Sequence, residues 1–252
     1  MSNTKDEEKI LKPAVTGTEN VMNACVKTGV KRVVLTSSAI TVLDVNNPGR
    51  VDESNWITLD NDTPSYDKSK VLAEKKAWEI AEASGIELVT LLPGIVTGKV
   101  LFKSKFESGE LIMNIMTGRY PRLAKIYMPF VDVEDVARAH LLSLNGPANE
   151  RYILSEATYK INEVGIALES EFKPHGYSPT TKELNSVLAK IFSWCGVSAI
   201  NRFYHFWNVF IDADNTKSIE KLEIGKYKSM KESVIEQGWS FIDLGMIRDK
   251  RK

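Results

Sequence analysis

Two short runs of consecutive β-formers, each preceded by a helix-like stretch that a glycine closes, constrain the fold of this chain more than any other feature. Arg32-Val33-Val34-Leu35-Thr36-Ser37 and Glu87-Leu88-Val89-Thr90-Leu91-Leu92 lack the strict apolar/polar alternation of a half-solvated strand, so each is expected to be covered on both faces. Ahead of the first run, Val15, Val21, Met22, Cys25 and Val26 recur at helical spacing until Gly29, which predicts a helix over 11–28. Ahead of the second, Pro64 at a first helical position predicts a helix running to Ser84, with Gly85 as its stop. Helix, strand, helix, strand at this spacing is the crossover pattern of a parallel sheet in an α/β fold. Beyond residue 100 the spacing predicts a helix near 106–117, a strand around 128–132, a helix over 133–143 and a strand over 151–155, then a mainly helical remainder.

This pattern divides the chain into a solvated, disordered tail (1–10), a partial α/β domain over 11–155 with lobe segments inserted, and a mainly helical lobe over 156–252. Its 33 basic and 33 acidic residues cancel, which points away from nucleic acid and toward a small molecule as the partner. Cys25 and Cys195 have no metal-type spacing and sit in helix-like apolar stretches, so they read as buried free thiols, and no metal is expected. The charged start MSNTKDEEKI has no apolar core, and no run of about 18 apolar residues occurs, so a soluble cytoplasmic protein without a membrane span is expected. Phe192, Trp194, Phe203, Tyr204, Phe206, Trp207 and Phe210 form a local aromatic excess. It reads either as the wall of a substrate lobe or as ordinary helix packing; Lys190 and Arg202 are too few for a basic membrane-facing side. Nothing in the sequence fixes an oligomeric state.

Tyr-x-x-x-Lys occurs twice, at Tyr66/Lys70 and Tyr227/Lys231, so the bare pattern discriminates little. Only the first pair opens a predicted helix one segment after a buried strand ending in Ser37 and Ser38; the second reads as a solvated face. A spacing of four puts Tyr66 and Lys70 on one side of the helix, one turn apart. A free tyrosine has a pKa near 10, so proton transfer near neutral pH needs a shift of roughly 3 units, about 4 kcal/mol. At an effective dielectric of about 20, a unit charge roughly 4 Å away supplies on the order of 4 kcal/mol. Tyr66 is therefore a candidate general acid toward a carbonyl oxygen, with Ser38 holding that oxygen. Asp52 and Glu53 read as a solvated loop, and His140 as a satisfied helix residue.

The runs Val33-Val-Leu-Thr-Ser-Ser-Ala39, Val51-Asp-Glu-Ser-Asn-Trp56 and Tyr66-Asp-Lys-Ser-Lys70 resemble the extended short-chain dehydrogenase/reductase family, NAD-dependent epimerase/dehydratase type. Within it they are similar to the branch of plant dihydroflavonol reductases and cinnamoyl-CoA reductases. Leu92-Pro-Gly-Ile-Val-Thr-Gly98, Phe130 to His140, Asp214 to Ser218 and Glu236 to Ile247 extend the likeness from about residue 12 to the end. The resemblance implies a Rossmann-like parallel sheet with a smaller, mostly helical substrate lobe. It implies Ser38, Tyr66 and Lys70 as the catalytic set, and cofactor contacts from Ser37, Tyr66, Lys70, Pro93, Gly94, Ile95 and Val96. The implied activity is hydride transfer between NADP(H), ahead of NAD(H), and a small carbonyl or alcohol substrate.

The family's cofactor fingerprint, a glycine-rich turn whose backbone amides hold the pyrophosphate, has no match here. No two of the 15 glycines are closer than Gly94 and Gly98, which rules out both G-x-G-x-x-G and G-x-x-G-x-x-G. The chain is thus expected to lack the first strands of the sheet, beginning at the crossover helix before the fourth. The strand at 32–37 is then expected to have a bare edge. Two other readings stay open at this point, a non-catalytic remnant that binds a partner through that edge or the aromatic lobe, and a sugar-nucleotide epimerase or dehydratase.

Overall fold

The computed structural model describes residues 7–186 and 204–251, with the side chains from residue 9 onward. In chain order the elements are α1 (Lys12–Lys27), β1 (Arg32–Thr36), β2 (Arg50–Val51), α2 (Ser65–Ser84), β3 (Glu87–Pro93), β4 (Ile95–Thr97) and α3 (Glu107–Met116). There follow β5 (Tyr127–Asp132), α4 (Val133–Ser143), β6 (Glu150–Leu154), β7 (Ala157–Lys160), α5 (Ile161–Phe172), β8 (Asp212–Ala213), α6 (Thr216–Glu220) and α7 (Met230–Asp243). Glu7–Leu11 form one π-helical turn leading into α1, where the sequence suggested a solvated tail. Pro64 caps α2 from outside its first turn. Among the described residues no helix is long and apolar enough to cross a membrane.

The chain divides into two compact units, one of residues 1–94, 137–154 and 213–225, the other of 95–136, 155–212 and 226–252. In the first unit β1, β3 and β6 form a parallel sheet in that order. Side chains alternate between its faces, as in any strand. Val33 and Leu35 pack with Met22, Ala77, Ala81, Ile86 and Leu88 beneath α1 and α2. On the other face Arg32 donates to the carbonyls of Ser143 (2.9 Å) and Gly146 (2.7 Å), and Thr36 Oγ1 meets His140 Nε2 at 2.8 Å. This is the α/β layering that the two buried runs predict, a Rossmann-like parallel sheet. Cys25 is a free thiol at the margin of the α1/α2 layer and only partly buried, not enclosed; Cys195 lies outside the described residues.

In the second unit β4 pairs parallel to β5, and β5 pairs antiparallel to β7. Helices α3, α5 and α7 pack together there, with Phe172 against Tyr177 (6.0 Å between ring centres) and Trp239 (4.9 Å). Of the aromatic excess, Phe206 is buried in the packing, whereas Phe210 is half exposed and stands edge-on to Tyr127 at 5.5 Å. Phe192, Trp194 and Phe203 lie outside the described residues.

Candidate active site

Carboxyl ends of parallel strands are where α/β sheets bind ligands, and the candidate residues of the first unit stand there. β1 ends at Thr36, and the chain turns at Ser38 into the short 3₁₀ turn Ala39–Thr41. Ser38 has extended backbone angles (φ −159°, ψ 145°), and its Oγ accepts the Ile40 N–H at 3.3 Å. The neighbouring Ser37 is buried, and its hydroxyl donates to Glu74 at 2.5 Å. A cofactor contact by Ser37 must therefore use its backbone or the remaining lone pairs of that hydroxyl.

Tyr66 lies in the first turn of α2 and Lys70 one turn on, as the spacing predicts. Lys70 Nζ stands 5.8 Å from the centre of the Tyr66 ring, and both side chains are half-buried. Burial of this degree leaves a face for a ligand. The Ser69 hydroxyl between them is turned back to the Tyr66 carbonyl at 2.6 Å. Pro93 ends β3, and the Gly94 N–H donates to the Leu154 carbonyl at 3.0 Å, fixing that strand end in the same sheet. Ile95 and Val96 begin β4 in the second unit.

The second Tyr-x-x-x-Lys pair is built differently. Tyr227 is buried and precedes α7, while Lys231 is exposed on that helix. It is not the solvated face that its composition suggests, and the two residues do not share a helical turn. Glu53 is a second correction: it is buried, accepts the Ile153 N–H at 2.9 Å, and burial pushes its carboxyl above the usual range. Asp52 beside it is exposed, and hydrogen bonds from the Ser54 hydroxyl and amide hold it below that range.

Sequence reasoning missed the charged pair at the centre of this unit. Glu74 Oε1 accepts from Arg151 Nε and from Thr90 Oγ1, each at 2.8 Å, and the pair is nearly enclosed. Arg151 also donates to the carbonyls of Glu53 and Asn55 and to Thr41 Oγ1, and its guanidinium lies 3.7 Å from the centre of the Trp56 ring. One signal was available: Glu74 occupies the same helical stripe as Val71, Ala77 and Ala81, all buried. Trp56, Lys75, Trp78 and Arg151 line a groove of about 910 Å³, but Ser38, Tyr66 and Lys70 do not line it. Among the described residues no cluster of side chains could hold a metal ion.

Residues 1–155 match the model of the NAD dependent epimerase/dehydratase family. Cinnamoyl-CoA reductase 2 of Arabidopsis thaliana is 40% identical over 186 residues, covering 70% of this chain and 55% of that protein. Tetraketide alpha-pyrone reductase 1 of the same plant is 31% identical over 249 residues, 92% of this chain and 69% of that protein. Among solved structures, yeast methylglyoxal/isovaleraldehyde reductase Gre2 complexed with NADPH superposes with a TM-score of 0.72 at 26% identity, covering 94% of this chain and 72% of that one. The chain thus spans about half the length of cinnamoyl-CoA reductase 2. With a parallel sheet, a serine at a strand end and a tyrosine–lysine pair opening the next helix, the chain belongs to the NAD dependent epimerase/dehydratase family, in its cinnamoyl-CoA reductase-like branch.

Proposed function

We propose that this chain carries the proton-transfer and nicotinamide-side part of an NADPH-dependent reductase of small carbonyl compounds. The observation that carries the reading is the Lys70 ammonium 5.8 Å from the Tyr66 ring on the first turns of α2, in the helix that follows Ser38. Likeness to Gre2, solved with NADPH, favours NADPH over NADH. The residues present fit the nicotinamide end of such a cofactor. Lys70 and the backbone at Ser37, Pro93 and Gly94 lie at strand ends or the helix start of one parallel sheet, with Ile95 and Val96 next in the chain. Its pyrophosphate end finds no glycine-rich turn within these 252 residues. When bound, the cofactor supplies the hydride.

The protein's own groups manage the proton. Ser38 Oγ uses a lone pair for Ile40 N–H, which leaves its proton to donate toward a carbonyl oxygen. Tyr66 gives that oxygen its proton, and the nearby ammonium of Lys70 stabilises the phenolate charge as it develops. In this reading Lys70 would also hold the nicotinamide ribose by a hydrogen bond.

The test is calorimetry of NADPH and NADH on the 252-residue chain, with turnover of small aldehydes and ketones. Micromolar NADPH binding is expected, weakened at least tenfold by Lys70→Ala. Tyr66→Phe keeps binding and lowers turnover by about 10²- to 10⁴-fold, the usual contribution of a positioned acid. A folded chain that binds neither nucleotide overturns the proposal for this polypeptide.

A further inference from the structure

Tyr66 and Lys70 sit on α2, whereas Ser38 sits on the turn after β1, so their registry depends on whatever ties that turn to that helix. One carboxylate does most of the tying. Glu74 is one helical turn beyond Lys70 and 1% exposed. It accepts from Ser37 Oγ at 2.5 Å, from Thr90 Oγ1 of β3 at 2.8 Å and from Arg151 Nε of β6 at 2.8 Å. Three parallel strands are thereby pinned to a single point on the helix.

Arg151 reaches the same turn from its other side. Its Nη2 donates to Thr41 Oγ1 at 3.0 Å, and that hydroxyl donates in turn to the Ser38 carbonyl at 2.9 Å. The Thr41 N–H adds a second bond to that carbonyl at 3.1 Å. Ser38 is thus held before and after: through Ser37 by Glu74, and through Thr41 by Arg151. A turn this short has few backbone bonds of its own, so the side-chain ties decide where its serine points.

We propose that the buried Glu74–Arg151 pair is a positioning device that sets Ser38 against Tyr66 and Lys70, a role that rests on the reductase reading above. Neither residue touches the reacting atoms. Their effect is geometric: loss of the ties displaces Ser38 from the carbonyl oxygen while leaving Lys70 and its nucleotide contact in place. A misplacement of about 1 Å can cost about 10²-fold in rate.

The experiment uses the full chain with Glu74→Gln and Thr41→Val. The second removes one tie and leaves the ion pair intact, so it serves if Glu74→Gln does not fold. Turnover and amide hydrogen exchange are read together. In a folded variant the expected result is a 10- to 100-fold loss of kcat with the NADPH Kd changed less than threefold. Exchange at Ile40, Thr41 and Val42 should quicken at least tenfold, while that at Val89 and Leu91 of β3 stays within threefold. Exchange that is unchanged at the turn, or quickened equally throughout, overturns the proposal, as does kcat within threefold of the parent. Should the parent chain itself show no turnover, or Tyr66→Phe retain full turnover, the reductase reading has failed. The exchange pattern then decides whether the ties hold the Ser38 turn, and absence of a local change there overturns that as well.

Discussion

Within the loop Val51 to Trp56, two adjacent carboxylates have opposite fates. Asp52 stays exposed, while Glu53 turns inward to the Ile153 amide, and desolvation raises its pKa above 4.5. A raised folded value means that the fold binds this proton more tightly than the unfolded chain does. The associated stability is complete below the ordinary value of about 4.5 and is lost as pH rises through the raised one. Glu53→Gln keeps an acceptor for Ile153 and removes the charge, so it should melt above the parent at pH 7 and level with it near pH 4. Thermal melts followed by circular dichroism over that range check this; a variant that melts lower at pH 7 than the parent refutes it. The Glu74–Arg151 pair invites a second measurement. Arg151→Met leaves a buried carboxylate unpaired and should cost about 3–5 kcal/mol in urea melts, whereas Glu74→Gln/Arg151→Met should recover a good part of that loss. Side-chain direction of this kind was the least legible part of the sequence. A loop has no period to distinguish Asp52 from Glu53, and Arg151 in the run Glu-Arg-Tyr-Ile-Leu reads as the polar start of a strand, although it is 8% exposed.

Elements were far more legible than side chains, because periodicity and glycine stops are local. The predicted helix over 11–28 is Lys12–Lys27, and the strand expected over 32–37 is Arg32–Thr36. The helix expected to stop at Ser84 does so, since Gly85 takes the left-handed conformation (φ 74°) in which its N–H bonds Ala81 at 2.9 Å. The mainly helical reading beyond residue 156 missed β7, four residues that become a strand only by pairing antiparallel with β5. Such a strand is specified by its partner rather than by its own pattern. Gly85 and Gly17 allow a paired prediction on the two helices. A β-carbon at Gly85 meets no atom within 4 Å, so Gly85→Ala should lose about 1 kcal/mol from backbone strain alone. Gly17 is exposed inside α1, is free of positive φ and also has open space around it, so Gly17→Ala should gain about 0.5–1 kcal/mol. Denaturant midpoints of the two variants with unchanged m-values distinguish these effects from a change in compactness.

The sheet as a whole departs from its sequence pattern at β1. Val33, Val34 and Leu35 read as a strand covered on both faces, yet all three are only half-buried, whereas β3 beside it is buried from Leu88 to Pro93. Pattern reports the environment that a sequence suits, and these residues suit a fuller cover than the described residues supply. The reason is visible in the ladder. Ser37 N–H donates to the Leu91 carbonyl and the Lys31 carbonyl accepts from Glu87, so the odd-numbered groups of β1 bond β3. In a parallel pair the even-numbered ones face away, and among the described residues no strand meets them. Val21 and Val26 of α1, Leu141 of α4 and Leu144 just beyond that helix are also exposed. This arrangement predicts an alternation in exchange along one strand: the amides of Val34 and Thr36 should exchange on the timescale of open loops, and those of Val33 and Leu35 orders of magnitude more slowly. Two-dimensional NMR of the chain in deuterated buffer reads all four. If all four exchange slowly in the isolated chain, the edge is already occupied, and analytical ultracentrifugation of the same sample then tells whether a second copy occupies it.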